Sequence, residues 1–171
     1  VTGFRRVLFR SDPVLAGLNG RHVARGNSPL AGRLGEQVLD PAFTIRDDPQ
    51  RPYASGARNR DSDGIPTRRQ PLFEQGVPRT FLYDLDTAGL AGATPTGNAG
   101  CAPYDVVVAP GQRASDALRA DLSSGLYVHD FIGFGQSNIL NGDFSANVGL
   151  GYRIENGEIT GRVKNTMVSG N

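Results

Sequence analysis

Apolar residues recur at helical spacing in only a few short places along this chain. In "DPVLAGLNG" Leu15 and Leu18 stand three apart and Asn19-Gly20 offers a left-handed stop, which predicts the last turns of a helix. In "NSPLAGRLGEQV" Ser28 can cap, Pro29 suits the first helical position, Leu30 and Leu34 share a face and Gly35 can end one or two turns. "DTAGLAG" reads as another short helix. In "SDALRADL" Ser115 can cap, Asp116 lies at the positive helix end and Leu118 and Leu122 are one turn apart.

Between these places the pattern is that of strands. "AFTIRDD" is strand-like until Pro49, and "GIPTRRQPLFEQGVPRTFLYD" reads as two strands joined at Glu74-Gln75-Gly76. "YDVVVAPG" is a buried-strand pattern closed by Pro110-Gly111, and "GLYVHDFIGFG" is β-rich. The stretch from Asp47 to Asp63 is polar, mixed in charge and punctuated by Gly and Pro, so it reads as a surface loop. Strands outnumber helices and their connections are short. The expected class is α+β, mainly hairpin-rich antiparallel sheet with a few short helices, with a barrel-like closure of the sheet as one form it could take.

The sharpest pattern is "GLGYRIENGEITGRV". Asn156-Gly157 fits a type I′ turn, whose two central residues both need positive φ. That turn predicts Glu155 opposite Glu158, Ile154 opposite Ile159, Arg153 opposite Thr160, Tyr152 opposite Gly161, Gly151 opposite Arg162 and Leu150 opposite Val163. One face then collects Leu150, Tyr152, Ile154, Ile159 and Val163, and the other collects the charged residues.

Composition fits this reading. The chain has 171 residues, 38% of them hydrophobic, with 23 glycines and 11 prolines. That supports one domain rich in turns. No apolar run approaches the roughly 20 residues of a membrane span. Val1–Ser11, "VTGFRRVLFRS", resembles a translated sequencing-adapter read and is set apart as non-native, leaving 12–171 as the domain. Without Arg5, Arg6 and Arg10, Lys+Arg falls from 18 to 15 against 17 acids, so net charge goes from +1 to −2. The basic balance is then no argument for nucleic acid.

Candidate chemistry is sparse. HExxH, Gly-x-Ser-x-Gly and phosphate-loop motifs are absent from the sequence, and "NGDFSANVG" has a single Asp, Asp143, rather than a calcium-binding repeat. His22 and His129 lie 107 positions apart (129 − 22) and Cys101 is the only cysteine, which does not make a self-contained zinc site. The lone cysteine also fits a reducing compartment. In an alternating strand His129 and Asp130 point to opposite faces, which rules out an ordinary dyad between them. No catalytic, cofactor or metal residue emerges. The glycine-bearing stretches Thr96–Gly100 and Asn141–Ser145 suit close approach of an extended peptide, with Gly97, Asn98, Gly142 and Asp143 as candidate contacts; turn chemistry alone is the competing explanation.

The order of blocks adds a resemblance. "SPLAGRLGEQVLDPAFTIRDDP", "DSDGIPTRR", "LFEQGVPRTFLYDLDTAGLAGATPTGNAG", "GLYVHDFIGFGQSN", "NGDFSANVGLGYRIENGEI" and "VSGN" follow one another as in the TldD/PmbA family. The segment around "IENGEI" resembles the PmbA branch more than the TldD branch. The resemblance implies the C-terminal domain of cytoplasmic proteins first described as modulators of DNA gyrase, metallopeptidases acting on small or unfolded peptides. It implies zinc on an HExxxH helix of a TldD-type subunit, completed by a late cysteine, and a PmbA-type partner without that set. The expected start lies after the HExxxH helix and the expected end before the late cysteine; Cys101 falls in a different block. No metal ligand carries over to this sequence, and zinc is expected in the partner subunit. The expected role is a PmbA-like subunit that shapes the substrate compartment, in contact with a TldD-like zinc-bearing subunit and with peptides. A non-catalytic scaffold in a hetero-oligomer is the alternative; nucleic acid and membrane are not favoured.

Overall fold

The computed structural model describes residues 14–133, 140 and 143–170. The chain divides into two compact units, Val1–Ala109 and Pro110–Asn171. The segment Val1–Ser11 lies outside the described residues.

The first unit is built on an antiparallel sheet of β1 (Ile45–Asp47), β2 (Gln70–Glu74), β3 (Val77–Pro78) and β4 (Val106–Val108), in the order β3-β2-β1-β4. The β2–β3 turn falls where the sequence placed it, with Gln75 at φ 49° and Gly76 at φ 79°. Ile45 pairs with Phe73 but Arg46 pairs with Pro71, so Leu72 is the extra residue of a bulge. The bulge accompanies the burial of Leu72 and Phe73 in succession. They join Ile45, Leu82, Leu18 and Val106 in one apolar core. Burying a Leu or Phe side chain of this kind stabilises by about 1.5–3 kcal/mol.

Two short helices flank this sheet, α1 (Gly20–Ala24) and α2 (Leu85–Ala91). Residues 14–16 are helical as expected, but Asn19 is no left-handed stop: at φ −66° it caps α1, its side chain accepting from Arg21 N–H. Backbone bonds Gly20 N–H to Leu82 O and Leu82 N–H to Leu18 O hold the chain there. The helix expected from Ser28 is replaced by turns. Ser28 Oγ accepts from Leu30 N–H, while Gly35 N–H bonds Pro78 O and Val38 and Leu39 N–H both bond Gly76 O. Those bonds to the β2–β3 hairpin take the donors that helix continuation would need. Asp84 caps α2 by accepting from Thr87 N–H at 2.8 Å, and Gly92 ends it at φ 62°.

The second unit carries α3 (Ser115–Ala120) and a sheet of β5 (Ser124–Ile132), β6 (Phe144–Glu155), β7 (Glu158–Val163) and β8 (Met167–Gly170). Ser115 is the first helical residue rather than the cap; Ala114 holds that place without a side-chain bond. β5 runs along one side of β6, while β7 and β8 pair with successive parts of its other side. Neither sheet closes into a barrel among the described residues.

Asn156 at φ 51° and Gly157 at φ 81° make the expected turn. Glu155 pairs with Glu158 and Ile154 with Ile159, but then the register slips: Arg153 faces Gly161, Tyr152 faces Arg162 and Gly151 faces Val163. Thr160 is the extra residue. The slip sets Val163 over Gly151, where a Cβ would lie 3.1 Å from Val163 Cγ2. It also moves Arg162 to the Tyr152 face, so the clean apolar and charged split holds only next to the turn. A second irregularity spans His129 and Asp130 opposite Leu150, so simple alternation does not apply to that pair.

Candidate functional site

A buried polar network in the first unit is built around Asp47 at the end of β1. Its Oδ1 accepts from the backbone N–H groups of Tyr104 (3.0 Å) and Asp105 (2.9 Å). Its Oδ2 accepts from Asn98 Nδ2 at 2.8 Å. Asn98 Nδ2 also donates to Ala102 O, and Asn98 Oδ1 accepts from Gln70 Nε2 at 2.6 Å. Asp47, Gln70 and Asn98 are all buried. Burial pushes the Asp47 carboxyl above its ordinary range, and the bonds from Asp105, Asn98, Tyr104 and Gln70 pull the other way without cancelling it. Three distant segments are thereby tied together: β1, β2 and the 96–105 loop.

The other face of the same strands carries a row of opposite charges. Residues 48, 69 and 105 extend the β1–β2 and β1–β4 pairings by one place. Asp48 Oδ2 takes Arg69 Nε at 2.9 Å and stands 3.6 Å from Arg46 Nε. Asp105 takes Arg51 in a two-pronged pair, 2.8 and 3.1 Å. Arg51 belongs to the loop after Pro49, which folds back so that the Arg58 guanidinium stacks 3.9 Å over the Tyr104 ring. Asp47, Asp48, Asp61 and Asp105 are buried, whereas Arg51, Arg58, Arg60, Arg68 and Arg69 are exposed. These acids face inward and these guanidiniums face water, while Arg46 is half-buried.

Of the four residues singled out from sequence, Gly97 and Asn98 lie inside this frame. Gly97 has φ 78°, and a Cβ on it would run into the Pro66 carbonyl oxygen. Asn98 is 1% exposed with its amide engaged as described. Gly142 lies outside the described residues. Asp143 belongs to the second unit, exposed and directly before β6. The acid–arginine row escaped sequence reasoning because it depends on strand register. Asp47-Asp48 directly before Pro49, and Asp105 directly before three valines, were the signals available.

The described residues do not fit a zinc ion: no group of three His, Cys, Asp or Glu converges among them. Cys101 is buried beside the start of α2, where its Sγ accepts from Asp84 N–H at 3.4 Å and lies 3.5 Å from Thr87 Oγ1. Among the described residues no helix is long and apolar enough to cross a membrane.

An α+β domain with open antiparallel sheets, a buried Asp–Asn–Gln frame and an arginine-lined face is the class that sequence and geometry define. Comparison with known proteins narrows it. The family described as "PmbA/TldA metallopeptidase C-terminal domain" matches residues 8–171, and the chain belongs to that family. A "Metalloprotease TldD homolog" of Haemophilus influenzae is 32% identical over 163 residues, 90% of this chain and 34% of the relative. A "Metalloprotease PmbA homolog" of the same organism is 31% identical over 156 residues, 91% of this chain and 34% of the relative. The chain therefore spans about a third of these relatives' length and is about equally similar to both. The crystal structure of a Thermotoga maritima protein described as a modulator of DNA gyrase aligns with TM-score 0.86 and 34% identity, over 96% of this chain and 39% of that one.

Proposed function

We propose that this sequence is the C-terminal part of a PmbA-like subunit in a TldD/PmbA-type metallopeptidase acting in the cytoplasm on small or unfolded peptides. In this reading a TldD-like partner holds the zinc, and this domain guides extended peptide chains. The observation that carries it is the β4 edge. Val106–Val108 pairs with β1 on one side, and among the described residues no strand pairs with the other. Edges are ordinarily blunted by shortness, proline, charge or a bulge. β3 has Pro78, and β7 has Glu158, Arg162 and the bulge at Thr160. β4 is short, three residues, but carries no proline, charge or bulge, and an extended peptide can add to such an edge through its backbone. Gly97 and Asn98 serve this role by fixing the loop that leads into β4.

The test is reconstitution of the full-length protein with a TldD-like, zinc-bearing homologue. Cleavage of an unstructured peptide is expected only when both are present. Stable association without any effect on cleavage would replace this reading with that of a scaffold.

A further inference from the structure

Two guanidiniums converge on one oxygen in the acid–arginine row. Arg69 Nε bonds Asp48 Oδ2 at 2.9 Å, and Arg46 Nε approaches the same oxygen only to 3.6 Å. Arg46 Nε is buried and makes no hydrogen bond, a costly condition for a charged donor. The trio has two positive charges against one negative. Asp105, the next carboxylate along the row, is already engaged by Arg51 in a two-pronged pair. Guanidinium donors in excess of carboxylate acceptors, on an exposed face, fit a further carboxylate from outside the chain.

We infer that Arg46 and Arg69 bind a carboxylate of an extended peptide laid along the outer edge of β4. This rests on the peptide-guiding role proposed above and names the chemistry that the domain prefers. Arg46 pairs with Val107, so the two side chains share a face of the sheet. A strand added beyond β4 lies about 10 Å from β1, two strand spacings, and Arg69, which extends β2, already crosses one further spacing to bond Asp48 beside β1. An acidic side chain projecting from that face of the peptide and the Arg46 side chain together cover the gap. Arg46 Nε itself is buried, so the carboxylate would take the outer nitrogens of the Arg46 guanidinium, whose side chain is 41% exposed.

The chemistry admits two sources, an acidic side chain or a peptide C-terminus, and one experiment separates them. Three fluorescein-labelled decapeptides of the same extended sequence are titrated against the full chain by anisotropy at low salt. One carries two central glutamates and an amidated C-terminus, one has glutamines there and a free C-terminus, and one has glutamines and an amide. The glutamate peptide is expected to bind about tenfold more tightly than the neutral one, with the advantage screened by sodium chloride. Stronger binding of only the free-acid peptide would assign the site to a C-terminus and also uphold it. The double substitution Arg46→Gln and Arg69→Gln should erase the preference, and Arg46→Lys with Arg69→Lys should restore part of it. Arg79→Gln, whose partner is Glu74, should leave it intact. Equal binding of all three peptides would overturn the inference and leave the peptide-guiding role standing. Preference unchanged in the double glutamine variant would place the carboxylate elsewhere and overturn it too. Failure of every peptide to bind would overturn both.

Discussion

Asn98 donates its amide hydrogen to Asp47 Oδ2 at 2.8 Å across 51 positions of sequence. This bond is one of several that hold the loop before β4. Asn98→Ala removes the side-chain donor to that buried oxygen and the acceptor of Gln70 Nε2. Each orphaned buried group costs about 1–3 kcal/mol, so a loss of about 2–6 kcal/mol is expected, a large share of a domain's stability. The denaturation midpoint of the full chain measures it. A change within about 0.5 kcal/mol, the range of ordinary surface substitutions, would mean that the network does not hold the loop.

Gly97 and Gly100 have nearly the same left-handed conformation, φ 78° and 75°, but different surroundings. Nothing lies within 4 Å of a Cβ built on Gly100, while one on Gly97 meets the Pro66 carbonyl. Gly100→Ala should cost about 1–2 kcal/mol, the left-handed penalty for a residue with a Cβ. Gly97→Ala should cost clearly more, because backbone must also move. Parallel urea titrations settle the order, and equal losses would refute the clash.

Two aspartates should give opposite pH dependences. Burial leads the causes acting on Asp47 and raises its folded pKa above the ordinary 3.8. Its folded state therefore binds the proton more readily, and its contribution to stability declines as pH rises from below 3.8 through the raised value. For Asp84 burial pushes upward, but the Thr87 hydroxyl and N–H, the Cys101 thiol and Arg21 outweigh it and lower the pKa. Its contribution is present above 3.8 and disappears as pH falls through the lowered value. Stability of the wild type relative to Asp47→Asn should thus fall with rising pH, and relative to Asp84→Asn should rise. Denaturant midpoints from acid to neutral pH test both signs; slopes of the same sign would contradict the assignment.

The sequence disclosed elements whose cause is local and hid those whose cause is distant. Asn156-Gly157 announced its turn because positive φ at both residues is a property of those residues. The register held for Ile154 and Ile159 and then slipped at Thr160, since seating Val163 over Gly151 is a cross-strand matter that no turn rule contains. Ser28 signalled a helix start, yet the backbone donors that follow bond to Gly76 and Pro78, more than 35 positions away. Asn98 read equally well as a contact residue or a turn residue. Only the pairing of Asp47 with Gln70 brings its two distant partners into reach together.

The bonds joining Gln70, Asn98 and Asp47 all run in one direction, each amide N–H pointing toward the carboxylate. Such a chain cannot be edited one link at a time. Exchanging Asp47 for Asn alone sets two amide nitrogens face to face, and exchanging Asn98 for Asp alone sets two carboxylates together. Swapping both reverses one link and leaves a single conflict, between the new carboxylate and the Ala102 carbonyl that now accepts from Asn98. Positions 47 and 98 should therefore drift together over evolutionary time, and aligned descendants of this domain should show them changing as a pair or not at all.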